Sequence, residues 1–157
     1  NKPAGVVTHP AVGNPDNTLI NAVLHHCPAN QNLVRGGIVH RLDKDTTGLL
    51  LIAKTEASLS YFVNLLKTRD ISREYRALVR GEMISGGTVD APIGRHPKDR
   101  LKQAVITHGK PATTHYRILE RFRGFTLLQL HLGSGRTHQI RVHMSHLGFP
   151  VVGDQLY

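Results

Sequence analysis

A chain of 157 residues, 39% hydrophobic and 20% charged, has material for one globular core and lacks the bias of a disordered or fibrous protein. Twenty Lys and Arg against eleven Asp and Glu give a net charge of +9, which points to a polyanionic partner or to a solvated basic surface. The single cysteine, Cys27, excludes an internal disulfide, argues against a cysteine-built zinc site and suits a reducing cytoplasm. No signal peptide, membrane-length apolar run or basic amphipathic helix directs the chain to a bilayer. The opening Asn1-Lys2-Pro3-Ala4-Gly5, without a methionine, and the abrupt ending Gly153-Asp154-Gln155-Leu156-Tyr157 read as cuts in a longer parent protein.

In chain order, residues 1–16 are rich in Gly and Pro and turn at Asn14-Pro15-Asp16. Residues 18–26 carry Leu19, Ala22 and Val23 at helical spacing and predict a short helix stopped by Pro28. Gly36-Gly37 opens a polar loop, after which the apolar run of residues 49–53 predicts a buried strand. Residues 57–67 place Leu59, Phe62, Val63 and Leu66 on one helical face. Residues 74–79 alternate, with Tyr75, Ala77 and Val79 on one side of a strand. Residues 90–111, poor in apolar groups and carrying Arg95, His96, Lys98, Arg100, Lys102 and Lys110, predict a hairpin or long loop lying on an anionic partner, with a solvated loop as the alternative. Residues 114–119 and 126–132 predict paired strands around Arg121-Phe122-Arg123-Gly124. A Gly133-Ser134-Gly135 turn then leads into a predicted helix over residues 136–147, with Ile140, Met144 and Leu147 inward and Gly148 as its cap. Helices and strands without strict βαβ alternation predict an α+β domain around a mixed, largely antiparallel sheet with flanking helices and loops.

Three constellations carry possible chemistry. In Val39-His40-Arg41-Leu42-Asp43-Lys44-Asp45-Thr46-Thr47-Gly48-Leu49-Leu50, an Asp stands in a loop flanked by Arg and Lys, an arrangement that keeps a carboxylate charged and aimed. Turn capping by Asp43 and Asp45 is the plain alternative. A calcium loop is excluded because Lys54 stands where a bidentate Glu is required, and adjacent loop carboxylates rarely straddle a glycosidic bond. In Ser72-Arg73-Glu74-Tyr75, the Tyr is either half-buried core or a stacking platform for a base, and local sequence leaves both open. In Gly133-Ser134-Gly135-Arg136-Thr137-His138-Gln139-Ile140-Arg141-Val142-His143-Met144, a Gly-rich turn opening onto a helix can bind phosphate, and Arg136 would reinforce it. Arg141, between Ile140 and Met144, is expected to be part-buried and to need a carboxylate or phosphate partner. His138, His143 and His146 lack the pattern of a metal site and suit RNA contact or surface positions.

Taken together and in this order, these segments resemble the signature of the RluA/RluD-type RNA pseudouridine synthases, closest to the members acting on large-subunit (23S) rRNA. Gly37-Ile38 joined to the Asp43 segment is the most specific match. Asn1-Lys2-Pro3-Ala4-Gly5, Arg73-Glu74-Tyr75, Gly109-Lys110-Pro111-Ala112-Thr113-Thr114-His115-Tyr116 and Val152-Gly153-Asp154 extend it over the whole chain.

The resemblance implies a pseudouridine synthase catalytic domain over residues 1–157, with an N-terminal S4-type domain and a C-terminal remainder outside it. It implies Asp43 as nucleophile or base, Tyr75 stacking on the base, Arg141 pairing with Asp43, and Arg41 propping the gap left by a flipped nucleotide. His40, Arg136 and His138 would join Arg41 in holding substrate. Extrusion of a nucleotide costs a few kcal/mol, which a propping side chain offsets. The isomerisation has no redox or group-transfer step, so no cofactor or metal is implied. The implied partner is RNA, rRNA before tRNA and not DNA, in the cytoplasm. A non-catalytic RNA-binding or ribosome-assembly module would have no use for Asp43, Tyr75 and Arg141 together, and a metal-dependent nuclease would need a carboxylate cluster that the sequence lacks.

Overall fold

The computed structural model describes residues 1–157, which form two compact units, Asn1–Ile71 and Ser72–Tyr157. In the first, short apolar stretches separated by Gly, Pro and Asn give turns and single bridges instead of ladders. Helix α1, Leu19–His26, starts where Thr18 and Asn21 cap each other, and buries Val23. Two 3-10 turns, Pro28–Asn32 and Val34–Gly37, follow. Helix α2, Glu56–Thr68, is opened by a reciprocal Thr55–Ser58 cap and buries Leu59, with Phe62, Val63 and Leu66 half-buried on the same side.

The strand expected over residues 49–53 does not form. Only residues 51–53 meet a partner, lying antiparallel to residues 37–39 through a single bridge between Ile38 and Ile52. Gly48 bridges Lys2, Val39 donates to the Leu51 carbonyl at 3.3 Å, and Ala53 donates to Gly37 at 2.8 Å. No partner runs alongside long enough for a ladder; Leu49 is exposed and only Ala53 is fully buried. Gly37, at φ +79°, is required here, because a Cβ would lie 2.1 Å from the Ala53 carbonyl oxygen.

In the second unit the period-2 pattern produces regular strands: β1 Glu74–Arg80, β2 Gly87–Asp90, β3 Ile93–Arg95, β4 Gln103–Val105, β5 Thr113–Phe122 and β6 Phe125–Leu132. Four form an antiparallel sheet in the order β1-β6-β5-β2, while β3 and β4 make a separate two-stranded ribbon. Its register sets Tyr75 opposite Leu130 and Tyr116 opposite the same residue from the other side. Leu128 and Leu130 on the central β6 join Val79, Met83, Val89, Ala91 and Met144 in one apolar core. A bulge between Ile118 and Glu120 leaves Leu119 out of the ladder and partly exposed.

Helix α3 is Gln139–His146, three residues shorter at its start than the spacing predicts. His138 takes a left-handed conformation (φ +57°) that prevents the helix from reaching back to Arg136. Gln139 replaces the missing turn: its Oε1 accepts from the Arg136 amide and the Ser134 hydroxyl, and its Nε2 donates to Thr113 and Thr114. The inward face carries Val142, His143 and Met144, whereas Leu147 lies at the exposed end.

Candidate active site

The loop carrying His40, Arg41 and Asp43 is fixed through its backbone. Leu42 is buried, which anchors the loop and leaves Asp43 half-buried beside it. The carbonyls on either side of Asp43 are both gripped by buried side chains from the chain's first residues. Thr8 Oγ1 donates to the Leu42 oxygen at 2.9 Å, and Lys2 Nζ donates to the Lys44 oxygen at 2.7 Å. Lys2, 1% exposed, also donates to Val6 at 2.8 Å and Pro3 at 2.9 Å, so three carbonyls match the three donors of an ammonium. Burial lowers the Lys2 pKa from its ordinary value, while the charges of Asp45 and Asp43 work to raise it. The Asp43 carbonyl itself accepts from the Thr46 amide at 3.2 Å, closing the turn.

His40 contributes to the same scaffold, its Nε2 accepting the Leu51 amide at 3.2 Å. Arg41 is exposed. Beside it, His9 has a buried Nε2 without a hydrogen-bond partner. Burial, with the Arg35 and Arg41 charges, holds the His9 pKa below its ordinary value.

In the second unit, Tyr75 is half-buried on β1 and packs against the apolar core. Arg141 on α3 is part-buried and forks onto Asp154, with Nε to Oδ2 at 2.6 Å and Nη2 to Oδ1 at 3.0 Å. Burial would raise the Asp154 carboxyl. Hydrogen bonds from Arg141 and from the Leu156 and Tyr157 amides, with the Arg141 charge, outweigh burial and hold it below its ordinary value. The Arg141 guanidinium also lies 5.0 Å from the centre of the Tyr157 ring. Tyr157 accepts the Gln103 amide at 2.7 Å and shares a 2.7 Å hydrogen bond with His138 Nδ1.

His143 is fully buried, its ring between the Ala91 carbonyl (3.0 Å) and the Thr114 hydroxyl (2.9 Å). Arg136 is exposed and its Nε donates to the Pro111 carbonyl at 3.0 Å, while its own amide is already bonded to Gln139. The Arg136 amide is therefore already paired, and its side chain is exposed.

Five of the seven expected site residues thus fall into two local groups, His40, Arg41 and Asp43 on one loop, and Arg141 and His138 joined through Tyr157; Tyr75 and Arg136 belong to neither. Sequence reasoning named neither Lys2 nor Thr8 as supports of Asp43, because their contacts span 42 and 34 residues. It also passed over Asp154 as the Arg141 partner. The Gly153-Asp154 pair after Val151 was the available signal, since an Asp following a turn glycine caps the next amides, as Asp154 does for Leu156 and Tyr157.

The family described as RNA pseudouridylate synthase matches residues 1–146. The chain belongs to that family. It is 58% identical over 157 residues to the ribosomal large subunit pseudouridine synthase D of Yersinia pestis, and 56% identical to that of Escherichia coli K12. In both cases all of this chain and 48% of the relative are covered, so the chain spans about half the length of the curated relatives it matches. Two human structures share the synthase fold. RNA pseudouridylate synthase domain containing 1 has a TM-score of 0.78 at 30% identity, covering 98% of this chain and 62% of that one. Domain containing 4 has a TM-score of 0.76 at 26% identity, covering 99% and 63%. Among RNA pseudouridylate synthases, then, this chain presents the Asp43 segment on a loop braced from both sides.

Proposed function

We propose that residues 1–157 act as the catalytic domain of an enzyme that isomerises uridine to pseudouridine in RNA, most of all in 23S rRNA within precursors of the large ribosomal subunit. The observation that carries this is the double grip on the carbonyls flanking Asp43, within the most specific family segment. A carboxylate that must meet one atom of an extruded base needs its backbone held, and two buried donors hold it.

In the proposed reaction the bond from N1 of uracil to the sugar breaks, the base turns, and C5 bonds to the sugar in its place. N1 gains a proton and C5 loses one, so atoms and electrons balance without an external reactant. Asp43 is the nucleophile or base and Tyr75 stacks on the uracil. Arg41 fills the space that the nucleotide vacates, and His40, Arg136 and His138 help to hold substrate. Arg141, oriented by Asp154, pairs with Asp43; a guanidinium carries five donors and can serve two carboxylates. The setting is the cytoplasm, and no helix of the chain is long and apolar enough to cross a membrane.

The test is incubation with large-subunit rRNA transcripts carrying tritium at carbon 5 of uridine. Release of tritium to water is the expected outcome. Release from tRNA transcripts alone would move the substrate to tRNA, and binding without release from either would leave an RNA-binding module.

A further inference from the structure

Within the second unit, Tyr157 joins three places that lie far apart in the sequence. Its hydroxyl accepts the Gln103 amide of β4 at 2.7 Å and meets His138 Nδ1 at 2.7 Å. The centre of its ring lies 5.0 Å from the Arg141 guanidinium. Its backbone is held by the carboxylate that also holds Arg141: Asp154 Oδ1 accepts the Tyr157 amide at 3.2 Å and Arg141 Nη2 at 3.0 Å. One carboxylate thus sets the ring and the guanidinium against each other.

The two hydroxyl contacts differ in chemistry. A backbone N–H can only donate, so towards Gln103 the phenol oxygen is the acceptor. A phenol has a single hydrogen, and with its oxygen engaged by the amide that hydrogen is directed at His138. Nδ1 of His138 is therefore the acceptor, and the proton of the neutral ring sits on Nε2. The backbone of His138 is left-handed (φ +57°, ψ +20°), a conformation that costs energy in a non-glycine residue and persists where the surroundings impose it. The His138 and Tyr157 rings meet edge to face, with centroids 5.6 Å apart.

We propose that Tyr157 is a positioning residue for the isomerisation, locking His138 in its Nε2–H tautomer through the hydroxyl and steadying the Arg141 guanidinium with the ring. The inference rests on the reading of the chain as a uridine-isomerising domain in which His138 holds substrate and Arg141 pairs with Asp43. With Nδ1 spent on Tyr157, neutral His138 meets the substrate as a hydrogen-bond donor, and the group it takes is an acceptor oxygen. The β4 strand enters the site through this relay, since its Gln103 amide decides which way the phenol hydrogen points.

Nitrogen NMR of the protein labelled with 15N in histidine reads the tautomer, because a ring nitrogen that carries hydrogen resonates far from one that does not. His138→Ala identifies the His138 signals among those of the eleven histidines. At about pH 8, above the ordinary histidine range, Nδ1 should be bare and Nε2 should carry hydrogen. Tyr157→Phe keeps the ring over Arg141 and removes the hydroxyl, and should bring hydrogen to Nδ1 in a measurable share of molecules. Its single-turnover conversion of uridine in large-subunit rRNA at saturating enzyme should slow about 3–10-fold, the worth of one hydrogen bond. Tyr157→Leu, which also strips the ring from Arg141, should be slower still. Adding Tyr157→Phe to His138→Ala should slow conversion no further, because the hydroxyl acts through His138.

Hydrogen on Nδ1 in the unaltered protein would overturn the proposal, as would a tautomer that Tyr157→Phe leaves unchanged. Additive losses in the double variant would make Tyr157 a structural support only and overturn it as well. If the unaltered protein converts no uridine while the nitrogen signals behave as described, the catalytic reading falls and the tautomer assignment stands.

Discussion

Ser72–Tyr157 is organised by antiparallel ladders packed over apolar clusters, whereas Asn1–Ile71 has no ladder and ties several of its carbonyls with the buried side chains of Lys2, Thr8 and Asn30. In the first case Leu128, Leu130, Val79 and Met144 lie at the centre of the core, and buried Thr114, Thr126, Gln139 and His143 stand beside them. In the second, Lys2, Thr8, Thr18 and Asn30 are buried alongside Val23, Ile38, Leu42, Ala53 and Leu59, and the polar ones bond to carbonyls or cap a helix. A ladder holds a strand wherever the apolar pattern continues. A side-chain tether holds one chosen carbonyl, which is what a loop with a reacting group requires.

The largest expected effect breaks the ladder unit. Leu130→Ala removes a fully buried side chain from the central strand and should lower stability by about 2–5 kcal/mol, measured by urea unfolding. A loss under about 1 kcal/mol would mean that the sheet does not depend on this core.

Asn30→Ala is the matching change in the tethered unit. Asn30 Nδ2 donates to Gly36 at 2.8 Å and to Ala53 at 2.9 Å, and its removal strands two buried carbonyls at a cost of about 1–3 kcal/mol. Hydrogen exchange should quicken within Asn1–Ile71 more than within Ser72–Tyr157. Equal quickening in both would erase the distinction drawn here.

A smaller effect sharpens the comparison through pH. Burial and the nearby His146 depress the His143 pKa from 6.5, against the opposing influence of the Ala91 hydrogen bond and Asp90. The folded ring stays neutral where the unfolded one has taken up a proton. Its contribution is therefore complete above 6.5 and is lost as pH falls from there towards the lower folded value. The slope is at most one proton, ~1.4 kcal/mol per pH unit. Urea unfolding at successive pH values should show that component in the unaltered protein and not in His143→Gln; identical slopes would contradict the buried neutral ring.

The same contrast explains what was legible. Alternation over residues 74–79 and 114–132 sets the strands, since a period of two leaves one face for the core. The helix α2 is equally plain from Leu59, Phe62, Val63 and Leu66. Residues 49–53 carry the same apolar signal as a strand, yet only residues 51–53 meet a partner, the short run 37–39, and no local pattern reports that. The start of α3 is hidden likewise, because Gln139 and the left-handed His138 replace the helical turn by contacts with Ser134 and Thr113. Asp43, Tyr75 and Arg141 stood out through family resemblance. Their supports, Lys2, Thr8 and Asp154, are ordinary residues whose purpose exists only in the folded chain.

The central claim is that the braced loop exists to present the carboxylate of Asp43. It is tested by single-turnover conversion of uridine in large-subunit rRNA by Asp43→Asn at saturating enzyme, alongside urea unfolding and RNA binding. Asn keeps the shape and removes the charge. The rate should fall by at least ~10³-fold, equivalent to ~4 kcal/mol of barrier, with stability and affinity near those of the unaltered protein. Conversion at the unaltered rate would contradict the account.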